Sequence, residues 1–178
     1  MVARTDLVTD PRTRQDLLLA RRGTAYFSRK LRELTDAELA GASRVPGWSR
    51  AHVVAHVGYH ARALARVIEG VRAGHSVPMY DSDAARDDEI EFGATLPGVA
   101  LRNLHEHAAV HLNVEWRDLE PERWTDTASL DARQDVPVSA TPWLRAREVW
   151  LGAVDLAAGA TLDDLPDGVV DRVTALRA

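Results

Sequence analysis

Histidine and glutamate side chains interrupt two otherwise apolar helical patterns, and they could carry metal or acid–base chemistry. At 100° per residue, His60 lies inside the apolar sector of the segment 50–71, and His56 lies on its shoulder one turn earlier. An imidazole that faces a core either satisfies a buried hydrogen-bond network or acts as a metal ligand or proton carrier. The spacing alone leaves both interpretations open for His56 and His60.

A polar stripe also crosses the last long helical segment, which is apolar around most of its circumference. The stripe consists of Arg145, Glu148, Gly152 and Asp155, at spacings that stack them on one face. A buried carboxylate without a partner is costly or takes up a proton. Glu148 therefore needs a partner, which is Arg145 at i,i+3, a histidine from another helix, or a cation.

A third group of histidines comprises His105, His107 and His111. His107 and His111 have the HxxxH spacing that can place two imidazoles on one metal ion. On a helical projection, however, His107 points away from the apolar stripe of its segment. The projection therefore favours a solvated helix face for this pair.

Composition and charge exclude several classes of protein. The 178 residues include 22 basic and 27 acidic side chains, a formal charge of −5 that does not suggest a nucleic-acid binder. The absence of cysteine excludes disulfides, thiolate zinc fingers and a catalytic thiol from the protein itself. No apolar run is close to the length of a membrane span, about 18 residues. The N-terminus lacks the apolar segment of a signal peptide. We expect a cytoplasmic protein that binds neither nucleic acid nor membrane.

Four long helical segments are predicted to position the polar residues. They span about 12–34, 50–71, 99–118 and 141–158. A shorter helix is predicted from about residue 83 and another over 168–177, whereas 36–46 reads as a loop or short turn. The looser pattern of 124–138 predicts an extended or hairpin-like connection. The predicted fold is mainly α, an antiparallel four-helix bundle with a long, partly extended crossover before the last long helix.

Local signals place the ends of several of these helices. Asp10 precedes Pro11, which suits the cap and the first position of a helix. Ser82 and Ser139 are predicted to cap the helices that follow them. Gly74 is predicted to end the second helix.

Several ordered motifs resemble the mycothiol-dependent maleylpyruvate isomerases, within the DinB-like superfamily of helical bundles. The matching segments are Gly47-Trp48-Ser49-Arg50 with His52-Val53-Val54-Ala55-His56-Val57, Pro78-Met79-Tyr80 with Ala85-Arg86 and Glu89-Ile90, Leu101-Arg102-Asn103-Leu104-His105-Glu106-His107, and Arg147-Glu148-Val149-Trp150 with Ala153-Val154-Asp155-Leu156. The likeness covers nearly the whole chain, and motifs of this length and order are specific.

The resemblance implies a divalent metal, usually zinc, held by a histidine, a glutamate and a second histidine. The first two ligands match His56 and Glu148, but the position of the second histidine is occupied by Gly152. Two protein ligands hold zinc less tightly than three, so the resemblance implies weakened or absent metal binding. His60, one turn beyond His56, is a possible substitute ligand. Arg86 matches an arginine near the site that could pair with a carboxylate of cofactor or substrate, although it could equally be a surface arginine among aspartates.

The resemblance also implies a reaction. Its nucleophile is the thiol of mycothiol, so a protein without cysteine can carry out thiol chemistry. The thiolate would add to the cis double bond of maleylpyruvate, and rotation and elimination would give fumarylpyruvate; related members transfer the thiol to other electrophiles. The alternative is a non-catalytic or disabled ligand-binding bundle that has lost its metal, an alternative that Gly152 favours.

The resemblance bears on domain organisation as well. Residues 1–160 are predicted to form the DinB-like bundle that binds metal and thiol cofactor. Members of the family usually continue into a small C-terminal α/β domain, and residues 161–178 are predicted to be a short helical tail, the remnant or start of a shortened appendage.

Overall fold

Six helices and one small hairpin make up the computed structural model, which describes residues 5–130 and 134–175. The helices are α1 (Pro11–Arg32), α2 (Arg50–Ala73), α3 (Asp83–Ala94), α4 (Gly98–Asp118), α5 (Thr141–Asp155) and α6 (Asp167–Ala175). The four long helices are those predicted from the sequence, and the mainly α bundle is confirmed. A single 3₁₀ turn, Ala37–Ala40, lies in the connection between α1 and α2.

Side-chain caps start two of these helices as the sequence predicts. The Asp10 carboxylate accepts a hydrogen bond of 2.7 Å from the backbone N–H of Thr13, and Pro11 occupies the first helical position. The Ser82 hydroxyl accepts from the backbone N–H of Ala85 at 3.0 Å and starts α3. At the other end of α2, Gly74 adopts the left-handed conformation, with φ 78°, that terminates a helix.

The last long helix differs from its prediction at both ends. A 3₁₀ turn at Val138–Ala140 precedes α5, the cap position is taken by Ala140, and Ser139 makes no capping hydrogen bond there. The prediction that Ser139 caps this helix was therefore wrong, because the chain already forms a 3₁₀ turn before it reaches Thr141. The helix ends at Asp155 rather than at residue 158, since Ala157 has a positive φ of 55° that stops it.

A short hairpin fills the crossover between α4 and α5. Strand β1 (Thr127–Ser129) pairs antiparallel with β2 (Asp135–Pro137), with Ala128 opposite Val136. Ala128 is buried, and the backbone N–H of Met79 donates to the Ser129 carbonyl at 3.0 Å. The hairpin-like connection is thus confirmed at 127–129 and 135–137, whereas Trp124, Thr125 and Val138 lie in 3₁₀ turns, and residues 131–133 lie outside the description.

The core is built from two helix pairs. Helix α1 packs mainly on α5, and α2 packs on α4 and α3, while α2 also contacts α5. Trp150 donates its indole N–H to the Leu19 carbonyl at 3.1 Å, which ties α5 to α1. Across the same interface Gly23 lets the two helices approach closely, since a Cβ there would lie 2.5 Å from the Val149 Cγ2 atom.

Replacing Gly23 by Ala is therefore expected to lower the free energy of unfolding by about 1–2 kcal/mol, because overpacking outweighs the better helix propensity of alanine. Gly168→Ala is the matched control, since no heavy atom lies within 4 Å of the added Cβ. Chemical denaturation measures both variants. Equal stability of the two alanine variants would contradict the close approach of α1 and α5.

The end of the described chain packs onto the bundle. Val169 of α6 is fully buried in the same cluster as residues of α5. The Arg172 guanidinium contacts the Asp16 carboxylate at 2.5 Å and lies over the Trp143 ring. The assignment of 161–178 to a short helical tail, the remnant or start of a shortened appendage, stays a prediction, and the part of the predicted terminal helix beyond 175 lies outside the description. Within the described residues no helix is both long and apolar enough to cross a bilayer.

Candidate functional site

A pocket of about 200 Å³ opens where α2 and α5 meet the segment before α3 and the hairpin. Its floor carries the histidine and glutamate residues that the sequence singled out. The lining residues are His56, His60, Met79, Tyr80, Ser82, Asp83, Arg86, Leu130, Leu144, Arg147 and Glu148. The pocket therefore combines side chains that can ligate a metal, two arginines and an apolar wall.

The contact between His56 and Glu148 is the centre of this pocket. The Nε2 atom of His56 lies 2.6 Å from Glu148 Oε1, and both side chains are largely buried. The packing of α2 against α5 brings them together, although they are far apart in the sequence. The rings of Trp48 and His56 pack at an interplanar angle of 60°, with centroids 5.5 Å apart, and this contact restricts the imidazole. Of the three partners considered for Glu148, the structure provides the histidine of another helix.

Arg145 takes a different partner. It is almost completely buried and donates a hydrogen bond of 2.7 Å from Nη1 to the Val57 carbonyl. Burial lowers the pKa of Arg145 to about 10, so the guanidinium remains charged at neutral pH. Its charge acts on Glu148 through space.

The electrostatics of the pocket favour an ionised Glu148 and a neutral His60. Burial would raise the pKa of Glu148, but the hydrogen bond to His56 and, to a smaller extent, the charge of Arg145 hold that pKa well below its usual range. Burial lowers the pKa of His60 to about 3. The floor of the pocket thus presents a carboxylate with neutral imidazole beside it, a set of donors suited to a cation.

Gly152 follows Glu148 by one turn and sits in a tightly packed position. A Cβ built there would lie 2.8 Å from Val57 Cγ2 and 3.5 Å from Phe27 Cε2. Valine in a helix is nearly restricted to one rotamer, so it cannot move aside easily. Close packing of α5 on α2 and α1 is thus one sufficient reason for a glycine at this position.

The pocket offers two donors to a divalent ion rather than three. His56 and Glu148 supply one nitrogen and one oxygen, and the His60 ring centroid lies 6.3 Å from that of His56. Within the described residues, the donor atoms of His56, Glu148 and His60 do not all lie within 4.8 Å of one another. The donor set fits an ion that is held weakly, because catalytic zinc normally has three protein ligands.

Two arginines reach the same pocket from different elements. Arg86 of α3 lines the pocket and also forms an ion pair with Asp87 at 2.9 Å. It is therefore both a pocket residue and an arginine among surface aspartates, the two interpretations that the sequence left open. Arg147 of α5 lines the pocket next to Glu148, and its functional position was missed in the sequence. Its place beside Glu148 in the Arg-Glu-Val-Trp motif was the available signal.

Tyr80 is a second pocket residue to which the sequence gave no individual role. Burial raises the pKa of its hydroxyl, so the phenol stays protonated and can donate a hydrogen bond. Its place in the Pro-Met-Tyr motif was the signal that could have found it.

The histidines of α4 lie outside this pocket. His105 is buried, its Nε2 atom lies 2.7 Å from the Ser28 hydroxyl, and burial lowers its pKa to about 3. His107 is exposed, as the projection predicts. His111 faces Glu69 of α2 at 3.0 Å, so the HxxxH pair does not converge on a common partner.

Comparison with known proteins agrees with the fold. The family model described as "Mycothiol maleylpyruvate isomerase N-terminal domain" matches residues 20–157. A crystal structure of the mycothiol-dependent maleylpyruvate isomerase superposes with a TM-score of 0.88 and 42% sequence identity, covering 92% of this chain and 68% of that chain. A crystal structure of a histidine-to-alanine mutant of a mycothiol-dependent maleylpyruvate isomerase gives the same values. No curated protein matches the chain. These matches do not favour the alternative of a disabled bundle.

Proposed function

The chain belongs to the mycothiol maleylpyruvate isomerase N-terminal domain family, and from this premise we propose that it catalyses a mycothiol-dependent reaction on a small electrophile. The proposed reaction is the cis–trans isomerisation of maleylpyruvate to fumarylpyruvate, or a related transfer of the thiol to another electrophile. The observation that carries the proposal is the 2.6 Å contact of His56 Nε2 with Glu148 Oε1 at the floor of a pocket that Arg86 also lines.

The proposed isomerisation is a reversible addition in which the thiol is regenerated. A carbon–sulfur bond forms at the cis double bond, and the electron pair of that double bond moves towards the conjugated carbonyl. Rotation about the resulting single bond follows. The electron pair then returns, the carbon–sulfur bond breaks, and the trans double bond is left. No oxidant or reductant is needed.

His56 and Glu148 are the residues that would hold a divalent metal in this pocket, and His60 would have to move towards them to act as a further ligand. When bound, the metal would lower the pKa of the cofactor thiol and supply a thiolate near neutral pH. The Trp48 ring packs at an angle against the ring of His56, and the hydrogen bond to His56, with a smaller contribution from the charge of Arg145, keeps Glu148 ionised. The chain thus pre-positions an anionic oxygen and an imidazole nitrogen before any ligand enters.

Arg86 and Arg147 are proposed to bind the anionic groups of substrate and cofactor. Both line the pocket, and guanidinium groups pair with carboxylates through two parallel hydrogen bonds. Arg86 forms ion pairs with Asp87 at 2.9 Å and with Asp83 at 3.4 Å, which partly neutralise its charge. The Arg147 charge is therefore expected to contribute more to substrate binding. The apolar wall of Met79, Leu130 and Leu144 limits the access of water to the reacting carbons.

Replacing Arg147 by Gln is expected to raise KM for maleylpyruvate by at least about tenfold, because a hydrogen bond to a charged group contributes about 1.5–3 kcal/mol. The value of kcat should change much less, since the reacting double bond is not held by this group. Steady-state kinetics at saturating mycothiol measures both. Arg62→Gln is the control, because Arg62 is exposed on α2 outside the pocket. Equal KM values for the two variants would contradict a substrate-binding role of Arg147.

The proposed function is tested by incubating the purified chain with maleylpyruvate and mycothiol and following fumarylpyruvate by chromatography. The expected result is conversion that needs both protein and thiol and that increases when zinc is added. A panel of other electrophiles, followed by loss of free thiol, tests the transferase activity. Absence of turnover with every electrophile, in protein that is shown to be folded and zinc-loaded, would overturn the proposal.

A further inference from the structure

A second group of metal-ligating side chains lies on the outer face of α2 and α4, away from the pocket. His111 Nε2 is 3.0 Å from Glu69 Oε1 and 3.7 Å from Glu115 Oε1. One donor atom from each of the three residues lies within 4.8 Å of the other two. We propose that Glu69, His111 and Glu115 bind a divalent transition-metal ion that bridges α2 and α4.

The distances suit such an ion. Zinc binds imidazole nitrogen and carboxylate oxygen at about 2.0–2.2 Å, so two donors at a tetrahedral centre lie about 3.3 Å apart. The contacts of 3.0 and 3.7 Å from His111 bracket that value. His111 and Glu115 are four residues apart on α4, which stacks them on one face, and Glu69 completes the group from α2.

The charges of these three residues also suit a cation. Two carboxylates approach a single imidazole nitrogen, and Nε2 of a neutral ring can donate a proton to only one of them at a time. Arg72 pairs with Glu115 Oε2 and offsets part of this negative charge, and a divalent ion would neutralise the rest while accepting the nitrogen lone pair. Metal binding is therefore a better match for this arrangement than a single hydrogen bond.

The side chain of Glu115, one of the three proposed ligands, is held in place by a hydrogen bond. Glu115 is buried, and Arg72 Nη1 donates a hydrogen bond of 2.6 Å to its Oε2 atom. This contact leaves Oε1 facing His111 and sets the orientation of the carboxylate, as groups behind metal ligands commonly do. Glu69 and His111 are exposed, which gives the ion a path from solvent and leaves positions for water.

This site is separate from the pocket. Glu69 follows His56 by 13 residues on the same helix, a displacement of about 20 Å along the helix axis. A ligand set of one imidazole and two carboxylates suits zinc and the other divalent first-row ions better than all-oxygen sites do. The proposal rests on these three residues alone and does not depend on the reaction proposed for the pocket.

Zinc titration by calorimetry tests the site in the purified full chain. The expected result is that His111→Ala and Glu69→Gln each weaken one binding event by at least about tenfold, since even groups behind a metal ligand affect affinity by about 10–100-fold. His107→Ala, an exposed histidine one turn earlier on the same helix, should leave that event unchanged. His56→Ala should also leave it unchanged, which separates this site from the pocket.

A thermal melt supplies the second measurement and checks that each variant is folded. Zinc should raise the Tm of the unmodified chain, of His107→Ala and of His56→Ala, but should raise the Tm of His111→Ala less, because an ion that binds only the folded state stabilises it. Zinc binding that is identical in His111→Ala and His107→Ala would overturn the proposal. So would loss of all zinc binding in His56→Ala.

Discussion

Replacing Glu148 by Gln is expected to reduce mycothiol-dependent turnover by at least about 100-fold, because the substitution removes the anionic donor at the floor of the pocket. Glutamine keeps the size of the side chain, so the packing around α5 should survive. Substitution of groups that merely orient a metal ligand costs about 10–100-fold in metal affinity or activity, and a ligand itself should cost at least as much. Turnover is measured at saturating zinc and mycothiol, alongside a melt to confirm folding.

Helix α2 offers a matched control one turn before His56. His52 Nε2 lies 3.4 Å from Glu91 Oε2, a second histidine–glutamate contact between helices, but neither residue lines the pocket. Glu91→Gln should therefore leave turnover unchanged, even though it removes the same type of charge from the same type of pair. Equal effects of the two substitutions, or full activity of Glu148→Gln, would contradict a role for Glu148 in the proposed reaction.

Replacing Gly152 by His is expected to lower the free energy of unfolding by about 1–3 kcal/mol, because the new side chain would overlap Val57. The ideal Cβ alone lies 2.8 Å from the Val57 Cγ2 atom. In this variant zinc affinity should stay unchanged, since Val57 prevents the new imidazole from reaching a position beside Glu148. Chemical denaturation without metal and zinc titration by calorimetry give the two quantities.

The double variant Gly152→His with Val57→Ala separates packing from ligation. Removing the valine methyl groups should make room for the imidazole, so the double variant should be more stable than the sum of the two single effects predicts. The imidazole would lie one turn beyond Glu148, and zinc affinity should rise by at least about tenfold as a third ligand is added. Val57→Ala alone is the control. Stability that recovers without any gain in zinc affinity would show that Gly152 is a packing residue and not the position of a missing ligand.

The sequence predicted the elements of the fold well, because their signals are local. Helical periodicity depends on residues three and four apart, and it located all four long helices within a few residues. The Asp10 and Ser82 caps depend on three or four residues and were confirmed. The Ser139 cap failed because a 3₁₀ turn, stabilised by contacts of the crossover, already precedes α5.

The sequence by itself determined the family, the helical periodicity and the inward direction of His56 and Glu148, since each depends on residue types and spacings along one segment. Only the tertiary structure decided which partners these residues meet. Periodicity shows which face of a helix is buried, but not which helix covers that face or at what axial offset. Those are set by the packing of α2 against α5 and α4, where Glu148 meets His56 rather than Arg145 and Gly152 lies against Val57. For the same reason the sequence could not join Glu69 to His111 and Glu115, because their contact exists only where two helices lie side by side.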